Sequence, residues 1–268
     1  MNNESVLLSH LTIGYRGRHA CHKVACDLHA TIHSGELTCL LGENGVGKST
    51  LLRTLSAFQP PVSGSVVIGG RPLSDYGDRE LARVIGVVLT ERPDVAQTTV
   101  EEMVALGRSP YTGFWGTLSA TDRTICQEAI SQVGIEALTH RLTSTLSDGE
   151  RQKVMIAKAL AQQTPVILLD EPTAFLDYPS KVDMLLLLRR ISHESNKTIF
   201  LSTHDLELAL QIADTLWLME RGGHLSIGSP RQLADAGVLT RFVERSPGVT
   251  FNAAQLSITV ANWCKGVK

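Results

Sequence analysis

The chain has 268 residues, 43% hydrophobic and 19% charged, which is enough for one sizeable core or a core with an attached lobe. A formal net charge of −2 provides no basic field for a phosphate backbone, which argues against nucleic acid as the main partner. Five cysteines without a CxxC pair argue for a reducing compartment, and no leader-like start or run of about eighteen apolar residues points to export or membrane spanning by the chain itself.

The first segments read as strands. Val6 to Ile13 is β-rich, and in Lys23 to His33 the residues Val24, Cys26, Leu28, Ala30 and Ile32 alternate with more polar ones, predicting a half-buried strand with Cys26 facing the core. Leu37 to Leu41 is a short apolar strand that runs into GENGVGKST, after which Leu51, Leu52 and Leu55 recur at helical spacing. Val66 to Ile68 and Val84 to Leu89 read as further strands, with a turn at Gly69-Gly70. From about Thr98 to Gln163 the pattern becomes helical. Ser119 and Asp122 mark a helix start, and Ile125, Ala129, Ile130 and Val133 form one apolar stripe. The α/β pattern resumes with PVILLDEP, whose continuous apolar run predicts a strand covered on both faces; Thr198 to Ser202 and Thr215 to Met219 repeat it. Residues after about Ser229 carry no interpretable signal, and there are no repeats or low-complexity tracts.

Between the strand and the helix, Gly42-Glu43-Asn44-Gly45-Val46-Gly47-Lys48-Ser49 fits G-x-x-x-x-G-K-[ST]. Glycines let backbone N–H groups crowd around phosphates, Lys48 adds a point charge, Ser49 offers a hydroxyl to Mg²⁺, and the helix N-terminus adds its dipole. The strand Val166 to Leu169 delivers Asp170 and Glu171 at its C-terminal end, where open α/β sheets bind ligands. Asp170 is expected to hold Mg²⁺ through water and Glu171 to orient or deprotonate the attacking water. In STLSDGERQKVMIAKAL, Ser147 and Gly149 precede an amphipathic helix; Ser147 with Glu150 is an ordinary capping box, and such a helix start also presents free N–H groups to an anion.

Taken together in this order, Gly42 to Thr50, LSDGE at 146 to 150, ILLDEP at 167 to 172, FLD at Phe175 to Asp177 and STHD at Ser202 to Asp205 resemble the nucleotide-binding subunit of ABC transporters over about residues 5 to 230. The resemblance implies a P-loop NTPase (RecA-like) α/β core with an N-terminal antiparallel β subdomain and a helical subdomain at about 92–163, residues 1–230 forming the ATPase domain and 231–268 a short extension. It also implies a head-to-tail homodimer, with Mg-ATP held between one chain's loop (Gly42, Asn44, Gly45, Gly47, Lys48, Ser49, Thr50) and the other chain's Ser147 and Gly149. By the same resemblance Tyr15 stacks on adenine, His204 contacts the γ-phosphate, and Asp177 lies in the loop that communicates across the dimer. Two positions depart from the family. Thr90-Glu91 stands where a Gln is usual, so Thr90 or Glu91 is expected to take the metal-side water contact. Asp148 and Glu150 replace the usual Gly and Gln, so Ser147 and backbone N–H groups are expected to face the ligand while these carboxylates point away.

The segment MVALGRSPYTGFWG places Tyr111, Phe114 and Trp115 close together, as a local core of the helical lobe or as a docking surface for permease subunits. With its LGR it looks most like importers of iron-siderophore complexes, haem and cobalamin, implying a peripheral protein at the cytoplasmic face of the membrane, linked to a substrate-binding protein only through the permease. A soluble ATPase serving cytosolic assembly, such as iron-sulfur cluster building, is the alternative; a DNA-repair or translation role is disfavoured by the single cassette and the lack of a long coiled-coil insertion. Cys21, His22, Cys26, His29 and His33 tempt a zinc reading, which the alternation opposes because Cys26 and the two later histidines fall on opposite faces.

Overall fold

The computed structural model describes residues 4–17, 21–90, 97–113, 116–245 and 248–260. The chain opens with two long strands, β1 (Glu4–Arg16) and β2 (Cys21–His33), then β3 (Leu37–Gly42), helix α1 (Lys48–Leu55), β4 (Ser63–Ile68), β5 (Arg71–Pro72), α2 (Asp78–Leu81) and β6 (Ile85–Val88). Three helices follow, α3 (Val100–Ala105), α4 (Ala120–Gln132) and α5 (Asp148–Ala161). Next come β7 (Val166–Leu169), α6 (Tyr178–Ser195), β8 (Thr198–Ser202), α7 (Leu206–Ile212), β9 (Thr215–Met219) and β10 (Leu225–Gly228). The described chain ends with α8 (Pro230–Asp235), α9 (Val238–Val243) and a hairpin of β11 (Val249–Asn252) and β12 (Ser257–Val260).

The central sheet has the order β10-β9-β3-β8-β7-β6, parallel except for β10. Its apolar runs sort residue by residue onto two covered faces, as period-two geometry requires. Cys39, Leu41, Ile167, Leu169, Ile199, Leu201, Leu216 and Leu218 join the core shared with the helices. Leu40, Val166, Leu168, Phe200, Trp217 and Met219 join the core shared with α1 and the antiparallel sheet β2-β1-β4-β5. Phe200 and Trp217 meet edge to face there, their ring centres 5.0 Å apart.

The helical lobe packs α3, α4 and α5 together, each begun by a side-chain capping box, Thr99 with Glu102, Ser119 with Asp122 and Ser147 with Glu150. Buried Arg108 ties this lobe inward: its Nε donates to Asp122 Oδ1 at 2.8 Å and its Nη1 to the carbonyl of Ala161 at 2.7 Å. Arg79 and Arg83, at and just after α2, both donate to the carbonyl of Pro110 and so fasten the 108–113 loop to the α/β core.

Two sequence expectations need correction. Cys26 is exposed, while Ala25 and Leu28 are both buried. The register between β1 and β2 shifts between the pairs Leu11↔Leu28 and Ile13↔Ala25, so Thr12 faces both Cys26 and Asp27; this bulge, with Asp27 at φ 54°, breaks the alternation. The stretch after Ser229, which carried no signal, is folded: Leu233, Ala234, Leu239 and Phe251 belong to the core shared with the helical layer.

Candidate functional site

The phosphate loop lies between β3 and α1, at the C-terminal edge of the sheet. A Cβ on Gly42 would sit 2.5 Å from the carbonyl oxygen of Met219, and one on Gly47, at φ 118°, would sit 2.4 Å from Val24 Cγ1, so only glycine lets the loop close this tightly. Helix α1 begins without a side-chain cap and without an acidic residue in its first turn, which leaves its first N–H groups to an anion. Lys48 is buried, its Nζ donating to the carbonyls of Gly42 at 2.8 Å and Glu43 at 3.2 Å. Burial lowers the Lys48 pKa from the ordinary lysine value, and Glu171 and Asp170 oppose that shift. Ser49, Asn44 and Gly45 are exposed at the mouth, and Thr50 is buried behind it. This cradle fits a polyphosphate.

Asp170 and Glu171 leave the end of β7 beside β8. Ser202, fully buried at the end of β8, donates to Asp170 Oδ1 at 2.6 Å and accepts from the Glu171 N–H at 3.0 Å, so one hydroxyl sets both carboxylate residues. Glu171 has φ 49°, a left-handed conformation costing on the order of 1–2 kcal/mol in a non-glycine residue, and the Ser202 bond offsets part of that. Its Oε1 lies 2.5 Å from His204 Nε2. Three of the expected catalytic residues therefore converge: Glu171 on His204, and both carboxylates near enough to Lys48 to act on its charge. Ser202 was missed as a site residue although its STHD motif was in view, because no spacing rule reveals a hydroxyl shared between two neighbouring residues.

The other expected residues fall as follows. The Tyr15 hydroxyl is 2.7 Å from Thr50 Oγ1 while its side chain stays half-exposed, placing an open aromatic face beside the phosphate loop. Thr90 donates its hydroxyl to the backbone carbonyl of Asp170 at 2.7 Å, so what it can still offer a metal-bound water is a lone pair; Glu91 lies outside the described residues. Ser49 and Asp170 are the hard oxygen donors suited to Mg²⁺. Asp177 caps α6, accepting from the Ser180 N–H at 3.1 Å, and its pKa is lowered first by the Ser180 hydroxyl and then by that N–H. Tyr111 donates to the carbonyl of Gln162 at 3.0 Å under the Arg108 guanidinium, which lies 4.0 Å from its ring centre, so it serves the local packing of the lobe; Phe114 and Trp115 lie outside the described residues.

Ser147 is exposed at the start of α5, and its hydroxyl is engaged with Glu150, donating to Oε2 at 2.9 Å and accepting from the Glu150 N–H at 3.3 Å. The Ser147 amide holds the Glu150 carboxyl below its usual pKa, with help from the hydroxyl. Gly149 has room beside it: an added Cβ would meet only Leu176 and Ser180, at ordinary contact distances. Outside the predicted set, Glu43 of the phosphate loop pairs with Arg221 at 2.9 Å and with Arg245 at 3.5 Å, and Arg245 also pairs with Glu220.

Comparison with known proteins agrees with this geometry. Residues 26–174 match the family model for the ABC transporter domain. The chain is 40% identical to an uncharacterised ABC transporter ATP-binding protein of Methanocaldococcus jannaschii, covering 83% of this chain and 76% of that one. It is 36% identical to the ferric enterobactin transport ATP-binding protein of Escherichia coli, covering 86% of this chain and 84% of that one. Among solved structures it is similar to a dimeric ATP-binding cassette in a post-hydrolysis state bound to ADP and Pi, with a TM-score of 0.71 and 27% identity over 84% of this chain and 98% of that one. The family match and the extent of these similarities show that the chain belongs to the ABC transporter family of ATPases.

Proposed function

We propose that this chain is the ATP-hydrolysing subunit that powers a membrane importer of metal chelates, of the iron-siderophore, haem or cobalamin class. The Glu171–His204 contact carries the hydrolytic part of this reading: it holds the Glu171 carboxylate against the His204 imidazole at the strand ends, beside the phosphate cradle. With one carboxylate oxygen taken by His204, the other accepts a hydrogen bond from the attacking water and orients it. Lys48, Asn44, Gly45 and the first N–H groups of α1 hold the phosphates, and Ser202 keeps Asp170 and Glu171 in register. Ser49 and Asp170 would hold Mg²⁺, with Thr90 or Glu91 on the water side, and the bound ion would supply charge neutralisation at the phosphate oxygens. The exposed Tyr15 face takes the adenine.

A relative named for transport of ferric enterobactin supports the cargo class, and Tyr111, Phe114 and Trp115 are the proposed permease-docking residues. No described helix is long and apolar enough to cross a membrane, so in this reading the chain works from the cytoplasmic face through permease subunits and meets the substrate-binding protein only indirectly.

The test is ATP-dependent uptake of a ferric siderophore, haem and cobalamin into proteoliposomes holding the chain with its co-purified permease. Uptake of one of these, lost with Lys48→Ala, is expected. Failure of all three, while the chain hydrolyses ATP indifferently to the permease, overturns the importer reading.

A further inference from the structure

The double bulge between β1 and β2 gathers three metal-ligating side chains that the nucleotide site does not use. In β1 the pairs Leu8↔Ala30 and Leu11↔Leu28 leave Ser9 and His10 together opposite His29, and in β2 the second bulge falls at Cys26–Asp27. Each extra residue lets flanking apolar residues three apart, Leu8 with Leu11 and Ala25 with Leu28, point into the same core. Each also leaves a left-handed residue behind, His10 at φ 48° and Asp27 at φ 54°. His10, Asp27 and His29 are then displayed on one solvent face.

The geometry points to a surface site for a borderline divalent transition ion, zinc being the representative, held by His10 Nδ1, Asp27 Oδ1 and His29 Nε2. The Asp27 oxygen lies 2.8 Å from His10 Nδ1 and 3.2 Å from His29 Nε2, and the three donor atoms all lie within 4.8 Å of one another. Tetrahedral zinc at its usual bond lengths of about 2.0–2.1 Å keeps adjacent ligands ~3.3 Å apart, so a small closing or opening of these distances seats the ion. The imidazole planes stand at 82° with ring centres 4.1 Å apart, so the nitrogens meet at the carboxylate without stacking.

Two imidazoles with one carboxylate suit zinc, copper(II), nickel or cobalt and do not suit Mg²⁺ or Ca²⁺, which prefer all-oxygen shells. The side chains are 76%, 70% and 51% exposed, which leaves the fourth position to water or to a ligand from outside. Asp27 and His29 are two apart on one strand and His10 is on its neighbour, so two hydrogen-bonded strands hold the donors in place before an ion arrives. The thiols of Cys21 and Cys26 are exposed but do not join this cluster.

Cobalt(II) absorption and zinc calorimetry on the tag-free, nucleotide-free full chain test the site. One saturable equivalent is expected, bound at least about tenfold more weakly by His10→Asn, Asp27→Asn and His29→Ala. Asn is chosen at positions 10 and 27 because it tolerates the left-handed backbone, and unaltered Mg-ATP affinity in the same variants checks their fold. Cys26→Ser and Asp170→Asn should leave the titration unchanged. Absence of saturable binding of either ion below about 1 mM, or binding that survives all three substitutions, overturns the site.

Discussion

Glu171 shows how much of the chemistry depends on one backbone choice. A left-handed residue at the end of β7 turns its carboxylate toward His204, and the buried Ser202 hydroxyl holds that turn by accepting from the Glu171 N–H. Glutamine at this position has the same shape and can still meet His204, but it cannot take a proton or polarise water as a carboxylate does. Glu171→Gln is therefore expected to keep Mg-ATP binding within about threefold and to lower kcat by about 10²-fold or more, the usual worth of a general base. Nucleotide titration and single-turnover hydrolysis measure the two quantities separately. Hydrolysis at the unaltered rate would take Glu171 out of that role and leave His204 as the next candidate.

The α4 start illustrates how a local sequence signal and a distant contact combine in one element. Asp122 carries a pKa lowered to about 2, first by the Ser119 hydroxyl, then by the Arg108 guanidinium and the Ser119 amide. Because the folded value lies below the unfolded one of about 3.9, this stabilisation is complete above roughly pH 4 and is lost as pH falls through about 2. Urea midpoints of the wild type and Asp122→Asn should thus differ above pH 4, with the wild type the more stable, and converge as pH approaches 2; a constant gap would remove the charge from the account. The Ser119–Asp122 half of this arrangement was legible in the sequence because it spans three residues, whereas Arg108 reaches Asp122 from another element and leaves no periodic trace. The same division runs through the molecule. The phosphate loop was legible because strand, glycines and helix are contiguous, and the central strands because burial on both faces demands continuous apolar runs. Cys26 was misplaced because a bulge depends on the partner strand. The folded segment after Ser229 was missed because its buried residues Leu233, Leu239 and Phe251 are spread over short elements and each docks on a core made elsewhere.

At the scale of the whole molecule, Ser147 lies exposed at a helix start with its hydroxyl turned back onto Glu150. In a head-to-tail dimer the Ser147 of one chain would complete the cradle of the other, exchanging its bond to Glu150 for one to the γ-phosphate. In that arrangement two chains each carrying a net charge of −2 gain no attraction from their net charges, and the nucleotide would supply the binding energy that closes them. Complementation distinguishes this arrangement from a site completed within one chain. Chains with Ser147→Arg keep a good phosphate loop but offer their partner a broken helix start, and chains with Lys48→Ala do the reverse. Each alone builds only defective sites. Mixed in a Glu171→Gln background, they form pairs in which the Lys48 of one meets the Ser147 of the other, restoring one intact site per mixed pair. Sedimentation with Mg-ATP should therefore show dimers in the mixture and monomers in each variant alone. Monomers throughout, beside a Glu171→Gln control that dimerises, would place the completing contacts within the same chain.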